Sequence, residues 1–194
     1  MKQIVLIHGG NSYKSHEAYR EHLRAVAMEY QRLLPKRRWS DAIIEALPDA
    51  DILLPSMPNS NNAQFDEWVM WFEKMIPFFG DDVRLIGHSL GAMFLAKYLH
   101  MRPLVRPVRQ LHLIAGGYNA PEHDYGSFEI TSATGLERSA AEIHLYHSQD
   151  DSVVPFAELA KFQTDLPTAQ IHVFTDRNHF LQPDFPELKA LLEK

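Results

Sequence analysis

Val83-Arg84-Leu85-Ile86-Gly87-His88-Ser89-Leu90-Gly91-Ala92-Met93-Phe94-Leu95-Ala96 is the stretch on which the fold turns. Its first four residues read as a buried strand and its last five as the start of a helix. Between them Gly87-His88-Ser89-Leu90-Gly91 matches G-x-S-x-G, a sharp strand-to-helix turn that holds a serine hydroxyl above the edge of a sheet. The flanking glycines are needed there because the chain must turn tightly and the helix must come close to its neighbours. The motif alone is modest evidence. Its setting between a strand and a helix is what gives it weight.

Working outward, the same alternation repeats along the chain. Short β-branched or leucine-rich runs occur at Ile4 to Ile7, Ile52 to Leu54, Val83 to Ile86, Leu111 to Ile114, Ile143 to Tyr146 and Ile171 to Phe174. Helical spacing links Tyr19, Leu23, Val26, Tyr30 and Leu33, and again Phe65, Trp68, Val69, Phe72 and Ile76; further helices are expected at about 91–101, 155–164 and 184–193. These aromatic stripes are expected to be core. Strands that alternate with helices imply βαβ crossovers and a mainly parallel sheet of about six strands covered on both faces. The expected fold is therefore α/β, a three-layer α/β/α sandwich. The 194 residues suffice for one domain, 1–194, with one core. The long irregular stretch from Gly116 to Ala141 leaves the C-terminal end of a strand, where ligands bind in open α/β sheets, and is the one segment able to cover a site.

Composition excludes several functions. With no cysteine, thiolate chemistry, disulfides and cysteine metal sites are ruled out. A net charge of -6 and one short basic cluster, Lys36-Arg37-Arg38, argue against a nucleic-acid partner; the cluster reads as a solvated turn between helices. No apolar stretch approaches the roughly 20 residues needed to span a bilayer, and the run after Met1-Lys2-Gln3 is too short for a signal peptide. The expectation is a cytoplasmic protein without a membrane partner. Eleven histidines raise the question of a metal. No H-E-x-x-H is present, His144 and His147 lack a companion carboxylate motif, and His112, His144 and His172 fall in or near strands. Neither metal nor cofactor is expected.

Three further segments complete a chemistry around Ser89. A serine hydroxyl is a weak nucleophile until a base takes its proton, and the base needs a carboxylate to fix its tautomer. Asp150 or Asp151 follows the fifth strand and His179 follows the sixth, so serine, acid and histidine occur in the order this kind of fold uses. His8-Gly9-Gly10 follows the first strand, where the amide of Gly10 with that of Leu90 would face a developing oxyanion.

On these motifs, together with Met57-Pro58-Asn59, Glu67-Trp68, Gly126-Ser127-Phe128, Val154-Pro155 and His179-Phe180, the chain resembles a known group. It is similar over nearly its whole length to the small single-domain serine hydrolases of the α/β-hydrolase superfamily typified by retinoblastoma-binding protein nine and its bacterial relatives. The resemblance implies a minimal hydrolase fold without a large cap and esterase-like activity on a small-molecule acyl substrate. It also implies Asp151 as the acid, because that aspartate commonly lies three or four residues before the proline. Binding to retinoblastoma protein does not carry over, since the peptide it needs contains a cysteine. Asn178 departs from the pattern, standing where glycine is common. With no room for a cap, a shallow pocket bordered by Asn11, Ser12, Met57, Asn59 and Tyr118 is expected. The other class of function to weigh is a non-catalytic protein-binding module on the same scaffold; a full Ser89, Asp151, His179 set argues against it.

Overall fold

All six apolar runs become strands in the computed structural model, which describes residues 1–194 except the side chain of Arg32. They are β1 Lys2–Ile7, β2 Asp51–Leu53, β3 Asp82–His88, β4 Val108–Ile114, β5 Ala140–Ser148 and β6 Gln170–Phe174. They form one sheet in the order β2-β1-β3-β4-β5-β6, and every pairing is parallel. Helices α1 His16–Ala25, α2 Tyr30–Leu33, α3 Trp39–Ala46, α4 Phe65–Glu73, α5 Leu90–Met101, α6 Glu158–Asp165 and α7 Pro186–Leu192 fill the connections.

Burial on both faces explains why the strands read as continuous apolar runs. In β1, Val5 and Ile7 join the core beneath Trp68, Phe72, Phe94 and Phe162 of α4, α5 and α6. Their neighbours Ile4 and Leu6 point the other way, onto Trp39 and Ile43 of α3 and Leu188 and Leu192 of α7. The chain leaves β1 toward one edge and returns to place β3 on β1's other side. The strand order thus reverses between β1 and β3, and crevices that bind ligands form beyond the carboxyl ends of strands at such a reversal. Register aligns those ends: Ile7 pairs with Gly87, His88 with Ile114, Ile114 with Tyr146 and Ser148 with Phe174.

One expectation needs correction. The stripe from Tyr19 to Leu33 is neither one helix nor core. It splits into α1 and α2, α1 buries no residue, and Leu23, Tyr30 and Leu33 are more than half exposed. Without a surface to cover that stripe, nothing offsets the cost of holding Val26 to Glu29 in helical form, because short helices depend on packing. The irregular segment 116–141 packs into the body of the fold. Phe128, Ile130, Ala133 and Leu136 are completely buried in it. Two carboxylates of α6 pin it down: Glu158 accepts the amides of Tyr118, Asn119 and Ala120 at 2.6, 2.8 and 3.0 Å, and Asp165 accepts the Tyr118 hydroxyl and the Ala133 amide. Burial raises the Glu158 pKa, but Lys161 and these amides outweigh it and keep the group ionised. Lys36-Arg37-Arg38 lies exposed in the connection between α2 and α3. Among the described residues no helix is long and apolar enough to cross a membrane.

Candidate active site

Ser89 stands at the junction of β3 and α5 with φ 55° and ψ -120°, a conformation that L-residues rarely adopt. Two contacts fix it. Its amide donates to the Ile114 carbonyl at 2.8 Å, and its carbonyl accepts from the amides of Ala92 and Met93. The glycines of the motif are there for close approach. A Cβ on Gly87 would lie 2.5 Å from the Gly91 carbonyl oxygen, and one on Gly91 would lie 2.2 Å from that of Ile7 in β1. Because Ala92 and Met93 use the Ser89 carbonyl, the amides of Leu90 and Gly91 at the start of α5 have no acceptor within the helix.

The three residues expected to act together do meet. His179 Nε2 lies 2.8 Å from Ser89 Oγ, and His179 Nδ1 lies 2.9 Å from Asp151 Oδ2. Both sit in strand-end loops, Asp151 after β5 and His179 after β6. The Asp151 side chain is fully buried. Burial raises its pKa, but the His179 bond and the amides of Val154 and Val153, at 2.9 and 2.8 Å, outweigh that and hold it below the usual carboxylate range. Asp150 points elsewhere: its Oδ1 accepts from Ser148 Oγ and from the Asn178 amide at 2.9 Å. It braces the histidine loop from behind.

That loop contains backbone in the left-handed region on both sides of the histidine, at Asn178 (φ 45°) and Phe180 (φ 53°). This accounts for the glycine common at position 178, since asparagine is among the few side chains that tolerate the region. Here Asn178 does more than tolerate it. Its Oδ1 accepts from Ser152 Oγ at 2.9 Å, joining the loop of His179 to the loop of Asp151.

Other residues with a part in the site escaped the sequence reading. His88 donates from Nε2 to the His179 carbonyl at 2.9 Å, and Trp39 Nε1 donates to the Phe180 carbonyl at 3.1 Å. Burial pulls the His88 pKa down to about 4, with His179 adding to the effect, so the ring is neutral at pH 7 and places no second cation beside His179. His8 accepts the Met57 amide at Nε2, at 2.9 Å. Its proton is therefore on Nδ1, which donates to the Gly9 carbonyl at 2.6 Å. For His8 and His88 the only signal is their place within a motif, beside Gly9 and Ser89; Trp39 carries none.

The loop after β1 runs beside the serine. A Cβ on Gly9 would lie 3.1 Å from Ser89 Cβ and 3.6 Å from its hydroxyl, so a side chain there would crowd the serine. Of the residues expected to border a pocket, Asn11 and Asn59 are exposed. Asn11 bonds through its backbone to Ser60 and Ala63. Asn59 Nδ2 donates to Glu67 at 2.9 Å. Ser12, Met57 and Tyr118 are buried and give their polar groups to the fold. Ser12 Oγ donates to the Ala63 carbonyl, the Met57 amide goes to His8, and the Tyr118 ring packs on Phe162. Their side chains turn into the fold, a direction that sequence does not show for residues in loops. Among the described residues no group of three or more His, Asp or Glu side chains is gathered to hold a metal ion.

Residues 34–183 match the family described as Serine hydrolase. Among solved structures, the chain superposes on the ydeN gene product of B. subtilis with TM-score 0.77 at 18% identity, covering 100% of this chain and 97% of that one. A YdeN-like hydrolase from Pectobacterium atrosepticum gives 0.64 at 17%, covering 99% and 90%. MGS-M1, an alpha/beta hydrolase enzyme from a Medee basin deep-sea metagenome library, gives 0.57 at 13%, covering 99% and 80%. At these identities the likeness establishes the fold, which is that of the α/β hydrolases.

Proposed function

We propose, from the premise that the chain belongs to the serine hydrolase family, that it cleaves small ester-type substrates through an acyl-enzyme on Ser89. The observation that carries this reading is the continuous chain of hydrogen bonds Ser89 Oγ, His179 Nε2, His179 Nδ1, Asp151. His179 accepts the Ser89 proton as Oγ attacks the acyl carbon. Asp151 holds Nδ1–H and favours the imidazolium that forms. The amides of Leu90 and Gly10 stabilise the oxyanion, Leu90 from the start of α5 and Gly10 from the loop beside the serine. The ester C–O bond then breaks and the alcohol leaves with the proton from His179. Water, deprotonated by the same ring, attacks the acyl-enzyme and releases the acid, returning the proton to Ser89.

The test is turnover of p-nitrophenyl acetate by wild type, Ser89→Ala and His179→Ala. Wild type is expected to show a burst of nitrophenol followed by steady turnover, and both variants to fall by about 10⁴-fold or more. Wild-type turnover in folded Ser89→Ala would refute the reading.

A further inference from the structure

A cavity separate from the hydroxyl of Ser89 opens between α1 and the turn that precedes α4. Its walls are Tyr19, Ser60, Gln64, Glu67 and the asparagines at 59, 61 and 62. The turn is held by the Asn62 amide on the Asn59 carbonyl at 2.7 Å, with Asn59 at φ 47°. It is bound directly to the loop after β1: the Asn11 amide donates to the Ser60 carbonyl and the Ala63 amide to the Asn11 carbonyl, both at 2.8 Å. A Cβ on Gly10 would lie 2.5 Å from that same Ser60 oxygen. The cavity therefore shares a wall with the loop whose Gly10 amide we assign to the oxyanion.

The chemistry of the walls is uniform. The lining residues carry four primary amides, a carboxylate and the hydroxyls of Ser60 and Tyr19, and the one ring is that of Tyr19. A primary amide carries a donor and an acceptor a little over two ångströms apart. A hydroxyl, both donor and acceptor, is its natural partner. Glu67 spends one oxygen on Asn59, leaving the other to accept. Asn62 Oδ1 is buried behind the cavity wall, with no donor among the described residues, so Asn62 faces the space with the rest of its side chain. An alkyl chain placed here would strip water from these groups and return no hydrogen bond.

We infer that this cavity receives the polyhydroxylated alcohol portion of the substrate, so that the esters cleaved at Ser89 are acyl esters of a sugar or similar polyol. The inference rests on the Ser89 reading for its chemistry. The acyl group passes to Ser89 Oγ, the C–O bond to the sugar breaks, and the sugar leaves with the proton held by His179. Tyr19 offers a ring face for the sugar's C–H surface, and Asn61, Asn62 and Gln64 offer hydrogen bonds to its hydroxyls.

The experiment compares kcat/KM for 6-O-acetylglucose and ethyl acetate in wild type, Gln64→Leu and Asn62→Leu, and titrates methyl β-glucoside against Ser89→Ala by ligand-observed NMR. Wild type should favour the sugar ester by about tenfold or more, and each leucine variant should shrink that ratio through a higher KM for the sugar ester, since a site built to hydrogen-bond hydroxyls discriminates strongly once a partner is removed. Loss of folding lowers both substrates together and leaves the ratio alone, so the ratio is the readout. The glucoside should bind Ser89→Ala and fail to bind when Gln64→Leu is added. A ratio near one in wild type, or a ratio untouched by both variants, overturns the inference. Glucoside binding without any Ser89-dependent hydrolysis would leave the cavity assignment standing and refute the chemistry at Ser89 instead.

Discussion

His147 at the end of β5 offers a quantitative test of how the fold responds to acid. The residue is 1% exposed, and its Nδ1 has no hydrogen-bond partner among the described residues. Burial pulls its pKa down to about 4, despite the opposing pull of Asp151 and Glu158. In the unfolded chain the ring titrates near 6.5. Above pH 6.5 neither state is protonated and the stability is whole. Between pH 6.5 and 4 only the unfolded state binds the proton, so stability falls as the pH drops. It levels off below the folded pKa. Each pH unit in that window costs about 1.4 kcal/mol, so lowering the pH from 7.5 to 5 removes about 2 kcal/mol through His147 alone. Burial also lowers the pKa of His112, which adds a loss of the same sign. Urea unfolding at pH 7.5 and pH 5 should show wild type losing at least about 2 kcal/mol, and His147→Gln losing about 2 kcal/mol less than wild type over the same interval. Equal losses in the two proteins would show that His147 is not a buried neutral group, and the packing of β5 against α6 would have to be redrawn.

Two further outcomes follow from the geometry. Gly91→Ala sets about 1 kcal/mol of helix propensity against a Cβ 2.2 Å from the Ile7 carbonyl oxygen. The overlap should win, with a net loss of about 1–3 kcal/mol and a lower thermal midpoint, whereas Gly80→Ala, whose nearest contact is 4.0 Å away, should change the midpoint little; a more stable Gly91→Ala protein would contradict the close approach of α5 to β1. Asp151→Asn should keep the fold and lower turnover by about 10⁴-fold, as a misoriented histidine does elsewhere, while Asp150→Asn keeps an acceptor oxygen for Ser148 and Asn178 and should cost far less; a reversal in steady-state kinetics would make Asp150 the partner of His179.

The strands were legible because burial on both faces demands unbroken apolar runs, and the turn at Ser89 was legible because close approach leaves glycine no substitute at positions 87 and 91. The choice between Asp150 and Asp151 was not a matter of residue type. Both are aspartates after the same strand, and only the backbone turn that brings the amides of Val153 and Val154 to Asp151 separates them. The pocket was less legible still. Ser12, Met57 and Tyr118 turn inward, while Asn59, also expected to border a pocket, lines the cavity with Tyr19, Asn61, Asn62, Gln64 and Glu67, and direction within an irregular turn leaves no periodic trace. The stripe from Tyr19 to Leu33 misled for a related reason, since helical spacing reports which side chains share a face and not whether anything covers it.

The central claim is that Ser89 is the nucleophile. Its most direct test is to treat the protein with a fluorophosphonate probe, then locate the adduct by peptide mass spectrometry. The account predicts one phosphonyl group per chain on the peptide carrying Ser89, none in Ser89→Ala, and much slower labelling in His179→Ala. Labelling of Ser89→Ala at the wild-type rate, or an adduct on another residue of wild type, would contradict it.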